Sequence, residues 1–452
     1  VDELSVAIER WHAGLTAEVA EESADWLAQE LKQRGLFFGD RPLCNVLRPR
    51  FLTQTQYRVL RDTVAVLLRA FDRALEAALA DPGRLDQFRL LDWERTLALE
   101  DPRIPASPVS RLDAFIDSGS GQLRFTEYNA ETPAGAAYHD ALTELFLAIP
   151  AARPFLQDHA LHPLPARNQV LHALLATWSQ WSGRRELPVI GILDWSEVPT
   201  RSEFLLYEQY FAEMGVTCVV ADVRDCTLHN GRLLAAGAPI DLIYKRVLIG
   251  ELIGREGMDH PIVRAVRSGA VCMVNPFRCK ILHKKASLAV LSDERNAGLF
   301  DPAERQAIAR HIPWTRVVEE RRTEYQGKPI DLLPWMEGNQ DRLVLKPNDD
   351  YGGAGIVLGW EVDAATWSSA IRRAVEHPSI VQERISLPKE SFPAWMDGRL
   401  VHADRIVDTA PFVFGGAYAD ACLTRVSTAT LVNVTAGGGS TVPTFVVERR
   451  SG

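Results

Sequence analysis

The stretch Leu343-Val-Leu-Lys346-Pro-Asn-Asp-Asp350-Tyr-Gly-Gly353-Ala-Gly355-Ile-Val-Leu constrains the fold of this chain more than any other. An apolar run delivers one lysine, then an acidic pair, then three glycines within four residues, then a second apolar run. The pattern reads as strand, polar loop, strand. Gly352, Gly353 and Gly355 admit positive φ and close backbone approach, so successive N–H groups can converge on an anion. Lys346 adds a positive charge for the same phosphates. The acidic side chains offer hard oxygen ligands for Mg²⁺. ATP with Mg²⁺ is therefore the first expectation.

The rest of the chain limits the alternatives. Its 452 residues suffice for two or three packed units, and 46% hydrophobic with 24% charged residues is ordinary for a globular protein. A net charge of −9 argues against a nucleic-acid surface. No apolar run approaches the roughly 18 residues of a membrane span. The start, Val-Asp-Glu-Leu-Ser, shows neither a basic nor an apolar leader region. Cys44, Cys218, Cys226, Cys272, Cys279 and Cys422 form no C-x-x-C pair, which fits reduced thiols in a cytoplasmic protein.

Periodicity divides the chain. Leu60, Val64, Leu67, Leu68, Phe71, Leu75 and Leu79 make the stripe of an amphipathic helix inside a largely helical segment, residues 1–105. Residues 106–150 begin with strand, Ser-Gly-Ser-Gly turn and strand, followed by a helix from Gly135 to about Ile149. Between 166 and 275, strands at Pro188–Leu193, Val216–Ala221, Asp241–Tyr244 and Val271–Asn275 alternate with helices. That alternation predicts a parallel sheet, without a dinucleotide fingerprint, in a substrate or scaffold domain. Residues 276–452 read as α+β, with helices near Lys284–Leu291 and Ala364–Glu376, a strand at Ser379–Ile385, and C-terminal strands including Leu431–Thr435 and Thr444–Glu448.

Three further groups bear on the glycine loop. Glu127-Tyr-Asn129 closes a strand, where residues two apart share a face, so a carboxylate and an amide oxygen address one site. A turn-forming pair ahead of Thr132-Pro133 is the plainer reading of the same residues. Lys284 and Lys285 open an apolar helix, a position where cations oppose the helix dipole unless an anion joins them. Gln382, Glu383, Arg384 and Ile385 end an apolar strand and can offer main-chain groups to a base edge.

The order of these elements resembles the ATP-grasp ligases, with one displacement. Their Glu-x-Asn strand ordinarily follows the glycine loop, whereas here it precedes it. In this the chain resembles the circularly permuted ATP-grasp proteins, the group of glutathionylspermidine synthase and the eukaryotic type of glutathione synthetase. The resemblance runs from Phe125 to Val447. It rests on Phe125-Thr-Glu-Tyr-Asn-Ala-Glu-Thr-Pro-Ala-Gly, Asp241-Leu-Ile-Tyr-Lys-Arg, Leu423-Thr-Arg425 and Asn433-Val-Thr-Ala-Gly-Gly-Gly-Ser.

The resemblance implies a mixed α/β and α+β protein: a permuted ATP-grasp fold with an inserted parallel-sheet domain and a helical N-terminal segment. It makes Lys285 (or Lys284, one register away) and Lys346 the ATP-phosphate lysines, and Glu127, Asn129 and Asp350 the Mg²⁺ ligands. Gln382 to Ile385 become the adenine hinge, and Gly352, Gly353 and Gly355 a lid over ATP. Arg246 and Arg425 are candidates for an acyl phosphate or substrate carboxylate, although each fits a structural ion pair equally well. The implied activity is ATP-dependent joining of a small carboxylate to an amine through an acyl phosphate. A small-molecule kinase and a non-catalytic ATP-binding regulator are the alternatives. The residues name neither the acid nor the amine, and they leave the oligomeric state open. The Cys/His amidase domain of bifunctional glutathionylspermidine synthases has no counterpart in the 1–105 segment, so amidase activity is not expected.

Overall fold

A computed structural model describes residues 3–117, 120–349, 352–429 and 439–450. Asp350 and the expected strand at Leu431–Thr435 lie outside the described residues.

Three sheets position the site. The largest has the order Lys389–Met396, Arg399–Val407, Tyr418–Ser427, Ala410–Phe414, Val109–Ile116, Leu123–Asn129, and Gly439–Val442 adds to Tyr418–Ser427. Side chains alternate over residues 111–114 and 127–129 of its strands Val109–Ile116 and Leu123–Asn129, whose ladder has a bulge after Asp113. Leu112, Ala114 and Tyr128 enter the main core, so Arg111, Asp113, Glu127 and Asn129 must face the other way. The core side is covered by the helix Gln54–Ala80, which carries the expected stripe and begins with a Thr53/Gln56 capping box. Phe71 of that helix meets the Tyr128 ring at 4.7 Å.

A second antiparallel sheet runs Thr315–Val317, Ser379–Glu383, Leu343–Pro347, Val357–Leu358. Leu343, Leu345 and Val381 pack with Trp367 and Ile371 of the helix Ala364–Glu376. The intervening residues, Val344, Lys346 and Gln382, therefore project from the opposite face. Strand, glycine loop and strand occur as read from the sequence, since Leu343–Pro347 pairs with Val357–Leu358 around the loop. Just beyond, Gly359 lies so close to the backbone that an added Cβ would sit 2.0 Å from the Gln340 carbonyl oxygen and 2.9 Å from that of Leu343. Backbone cannot swing aside as a side chain does, so Gly359→Ala should destabilise by about 1–3 kcal/mol or more. Urea unfolding checks this, and an unchanged midpoint would contradict the packing described.

The third sheet is fully parallel, in the order Cys272–Val274, Leu242–Lys245, Ile190–Asp194, Cys218–Asp222, as the strand–helix alternation predicts. Asn275, after its edge strand, fastens it to the large sheet through the backbone of Val109, Ala130 and Glu131. The N-terminal segment is less separate than its helical pattern implies. Its helices Glu3–Gly14 and Ala17–Gln33 share a core with Leu142, Phe146, Phe392 and Phe445, and Arg50–Leu52 pairs in parallel with Thr444–Arg449. No helix among the described residues is long and apolar enough to cross a membrane.

Candidate active site

The polar faces of the two antiparallel sheets enclose a cavity lined by Thr126, Glu127, Lys346, Gly352, Gly353, Gln382, Glu383 and Ile385. Residues more than two hundred positions apart in sequence thus meet. Lys346 Nζ donates to Gln382 Oε1 at 2.7 Å and to the Thr126 carbonyl at 3.2 Å, bridging the sheets. Lys285 lies 2.8 Å from Glu127. Burial pushes the Lys346 ammonium from the usual 10.5 down to about 8; Glu127 opposes that shift and Lys285 adds to it. For Glu127, burial alone would raise the carboxyl, but Lys285 beside it prevails and holds it below its ordinary value.

The two consecutive lysines part company. They occupy the break between the short helices Cys279–His283 and Ala286–Ser292, and their side chains diverge. Lys285 points to Glu127, while Lys284 Nζ donates to Glu94 and Asp349 at 2.7 and 2.8 Å. Lys284 belongs to a buried cluster in which Lys280 reaches Glu131 and Asp349, and Lys245 also holds Glu131. Asp349 therefore ties the base of the glycine loop to this cluster. His283 lies within the cluster, and burial first, then Lys280, lowers its imidazole to about 4.

Sequence reasoning missed Asp113. It sits directly across from Glu127 in the ladder, with Arg111 across from Asn129, so four polar side chains share one patch. Spacing two apart, Arg111-x-Asp113 facing Glu127-x-Asn129, was a readable signal once the strands were paired. Arg425 and Asp408 complete the patch: Arg425 donates to Asp113 at 2.8 Å and to Asp408 at 2.5 Å. Among the described residues no group of three His, Cys, Asp or Glu side chains has metal-holding geometry. Glu127 and Asn129 form an oxygen pair suited to Mg²⁺, which takes one or two carboxylates and completes its shell with phosphate and water, whereas both oxygens of Asp113 already accept from Arg111 and Arg425. Asn129 Nδ2 is buried and has no hydrogen-bond partner among the described residues.

Other expected site residues fall differently. Glu383 and Ile385 line the cavity with Gln382, but Arg384 turns away and stacks over Trp360 at 4.1 Å. Gly352 and Gly353 line it, whereas Gly355 is not among its lining residues. Arg246 lies in a second cavity of about 400 Å³ that shares Asp113, Glu127, Gly352 and Arg425 with the first. Its guanidinium is largely engaged there, donating to the Pro133 carbonyl, the Tyr244 hydroxyl and Glu203. Glu203 in turn accepts from Gly135 N–H, so the pair shapes the 132–135 turn that walls this cavity.

A solved structure of a glutathione synthetase-like effector (GSS30) from Globodera pallida superposes with a TM-score of 0.56, at 12% identity, covering 94% of this chain and 96% of that one. The two chains share an overall fold. In sequence, 91% of the chain aligns with two bacterial proteins. They are named "Putative glutamate--cysteine ligase 2-3" of Frankia alni, at 25% identity, and "Putative glutamate--cysteine ligase 2-2" of Frankia casuarinae, at 24%. The chain spans about half the length of both, 49% and 48%. No protein-family model matches it.

Proposed function

We propose that the chain is an ATP- and Mg²⁺-dependent carboxylate–amine ligase with a circularly permuted ATP-grasp arrangement. The observation that carries this reading is the convergence of Lys346, Lys285 and Glu127 between two sheets, beside a second cavity that shares Asp113, Glu127 and Arg425. A nucleotide would lie in the first cavity, its base against Gln382–Ile385 and its phosphates between the two lysines under Gly352 and Gly353. Glu127 and Asn129 would hold Mg²⁺, with Asp350 the loop ligand implied by the resemblance. The ion supplies charge neutralisation for phosphoryl transfer.

The chain's own part is positioning. Lys285 leaves Glu127 for phosphate, Arg425 faces the carboxylate undergoing phosphorylation, and the glycine loop closes to exclude water from the acyl phosphate. An amine in the second cavity then attacks the acyl carbon, forming the C–N bond as the bond to phosphate oxygen breaks, and the proton lost from nitrogen leaves with the phosphate. The continuous second cavity favours ligation over phosphorylation alone. Glutathionylspermidine synthase serves here as the likeness for architecture, not for substrates. The Frankia names cover twice the matched length and are not assigned to this half.

Phosphate release measured across paired acids and amines tests the reading. Release that needs both partners supports ligation; a stable phosphorylated product from an acid or alcohol alone supports a kinase instead.

The depressed Lys346 gives a second expectation. Near pH 8 about half of these side chains lack a proton, and phosphate beside them restores it, so Mg-ATP binding should take up roughly half a proton per site. Calorimetry in buffers of different ionisation enthalpy reads this uptake directly, and Lys346→Met should remove it. Uptake retained in the variant would place the proton elsewhere. Without nucleotide, the folded chain binds fewer protons than the unfolded chain between about 8 and 10.5, so Lys346 makes stability rise with pH across that window.

A further inference from the structure

The second cavity has a pole that the phosphoryl-transfer chemistry leaves unused. Asp194 ends the strand Ile190–Asp194, one residue beyond the last ladder pair, Leu193–Lys245. Arg246 is the next residue on the neighbouring strand, so Asp194 and Arg246 stand side by side on the carboxyl edge of a parallel sheet. That edge is where open α/β sheets accept ligands. Glu251 lines the same end of the cavity, and Trp195 ties the two carboxylates together: its backbone N–H donates to Asp194 at 2.8 Å and its indole N–H to Glu251 at 3.2 Å.

Two carboxylates would not by themselves make a site. Three buried nitrogens in the same wall also lack partners among the described residues, however: Nε of Arg246, 5% exposed, Nδ1 of His283, 7% exposed, and Nδ2 of Asn129. An unsatisfied buried guanidinium N–H costs free energy unless a ligand oxygen meets it. Burial, helped by Glu251, pushes the Asp194 carboxyl up to about 6 even though Trp195 N–H, Arg246 and Lys245 favour its charged form. A cation seated against it would relieve that cost. Phe38, Leu43, Val198 and Leu248 add apolar surface to the same cavity, which suits a compact organic molecule rather than a hydrated metal ion.

Resting on the ligase reading above, we propose that Asp194, with Glu251, binds the ammonium group of the amine substrate while Arg246 Nε holds an oxygen of the same molecule. The amine is thereby of amino-acid or amino-acid-amide type. Asp194 takes a proton from that ammonium to free the nitrogen's lone pair, in a cavity that shares Glu127 and Arg425 with the nucleotide cavity, where the acyl phosphate forms.

L-Alaninamide, which carries one ammonium and one carbonyl, is the probe, and propionamide, lacking the ammonium, is its control. Both are titrated calorimetrically into the whole chain saturated with Mg-AMPPNP. Wild type should bind alaninamide and ignore propionamide. Asp194→Asn keeps the acceptor for Trp195 N–H and should weaken alaninamide binding at least about tenfold, as for loss of a hydrogen bond to a charged group. Its thermal shift with Mg-AMPPNP should stay at the wild-type value. The proposal is overturned by equal alaninamide affinity in wild type and Asp194→Asn, by equal binding of both amides, or by a nucleotide-bound wild type that takes neither. If wild type gives no shift with Mg-AMPPNP, the nucleotide reading fails on its own, and the same amide contrast on nucleotide-free protein still decides the ammonium site.

Discussion

Arg425→Met should cost about 3–5 kcal/mol of folding stability, because it strips buried Asp408 of its counter-ion and leaves Asp113 to Arg111 alone. Asp408 is 1% exposed and Asp113 7% exposed, and the guanidinium lies 2.5 and 2.8 Å from them. Even with Arg425 present, burial pushes the Asp408 carboxyl up to about 6, so its ionised form is already poorly solvated. Without the arginine that value must climb further above the ordinary 3.8, and the folded variant will bind a proton that the unfolded chain does not. The deficit should accordingly shrink as pH falls from 8 towards 5. Adding Asp408→Asn to Arg425→Met should recover part of the loss, since an amide needs no counter-charge. Urea titrations at several pH values read all three outcomes. A loss below about 1 kcal/mol, or one independent of pH, would mean that the pair is solvated and behaves as a surface ion pair.

A comparable loss is expected from Lys280→Met. Its ammonium is the hub of the cluster behind the glycine loop, 2.7 Å from Asp349, 3.1 Å from Glu131 and 3.6 Å from Glu94. Lys245, Lys280 and Lys284 balance Glu94, Glu131 and Asp349, and the neighbouring His283, lowered to about 4, adds no charge at neutral pH. Removing one ammonium leaves an uncompensated charge where Glu94 and Glu131 are each 1% exposed, again on the order of 3–5 kcal/mol. Adding Glu94→Gln should restore much of it, because Lys284 then serves Asp349 alone. Thermal unfolding of the single and double variants measures this coupling. Additive losses in the double variant would contradict a shared charge balance.

The readable parts of the fold were those with a clear local period. The helix Gln54–Ala80, the helix Ala364–Glu376 and the parallel strands of the 190–274 region follow directly from apolar spacing and turn residues. The hairpin Lys389–Met396 with Arg399–Val407 did not, because its outer strand carries Pro393 and mostly polar or half-exposed residues. Such a strand is tolerated at a sheet edge, and this one occupies the edge of the largest sheet. The strands Cys226–His229 and Arg232–Ala235 and the hairpin Arg322–Tyr325 with Lys328–Asp331 escaped for a similar reason: each is four residues long and partly exposed.

In the candidate site, Lys346, Glu127 and the glycines were legible because strand ends and glycine runs advertise themselves. Asp113 was not, since its significance lies in being opposite Glu127, a relation that only strand pairing creates. The choice between Lys284 and Lys285 likewise turned on a helix break that places neighbours on opposite sides. Arg246 illustrates the converse. A guanidinium read as a ligand group donates mainly to protein acceptors, and its Nε is without a partner among the described residues.

The central claim is that the cavity between the two antiparallel sheets is an Mg-ATP site. Calorimetric titration of wild type, Lys346→Ala and Glu127→Gln with ATP, with and without Mg²⁺, tests it most directly. Saturable, Mg²⁺-dependent binding is expected in wild type, weakened about a hundredfold or more by Lys346→Ala and made largely Mg²⁺-independent by Glu127→Gln. Absence of ATP binding in the folded wild-type protein, or undiminished binding in Lys346→Ala, would contradict it.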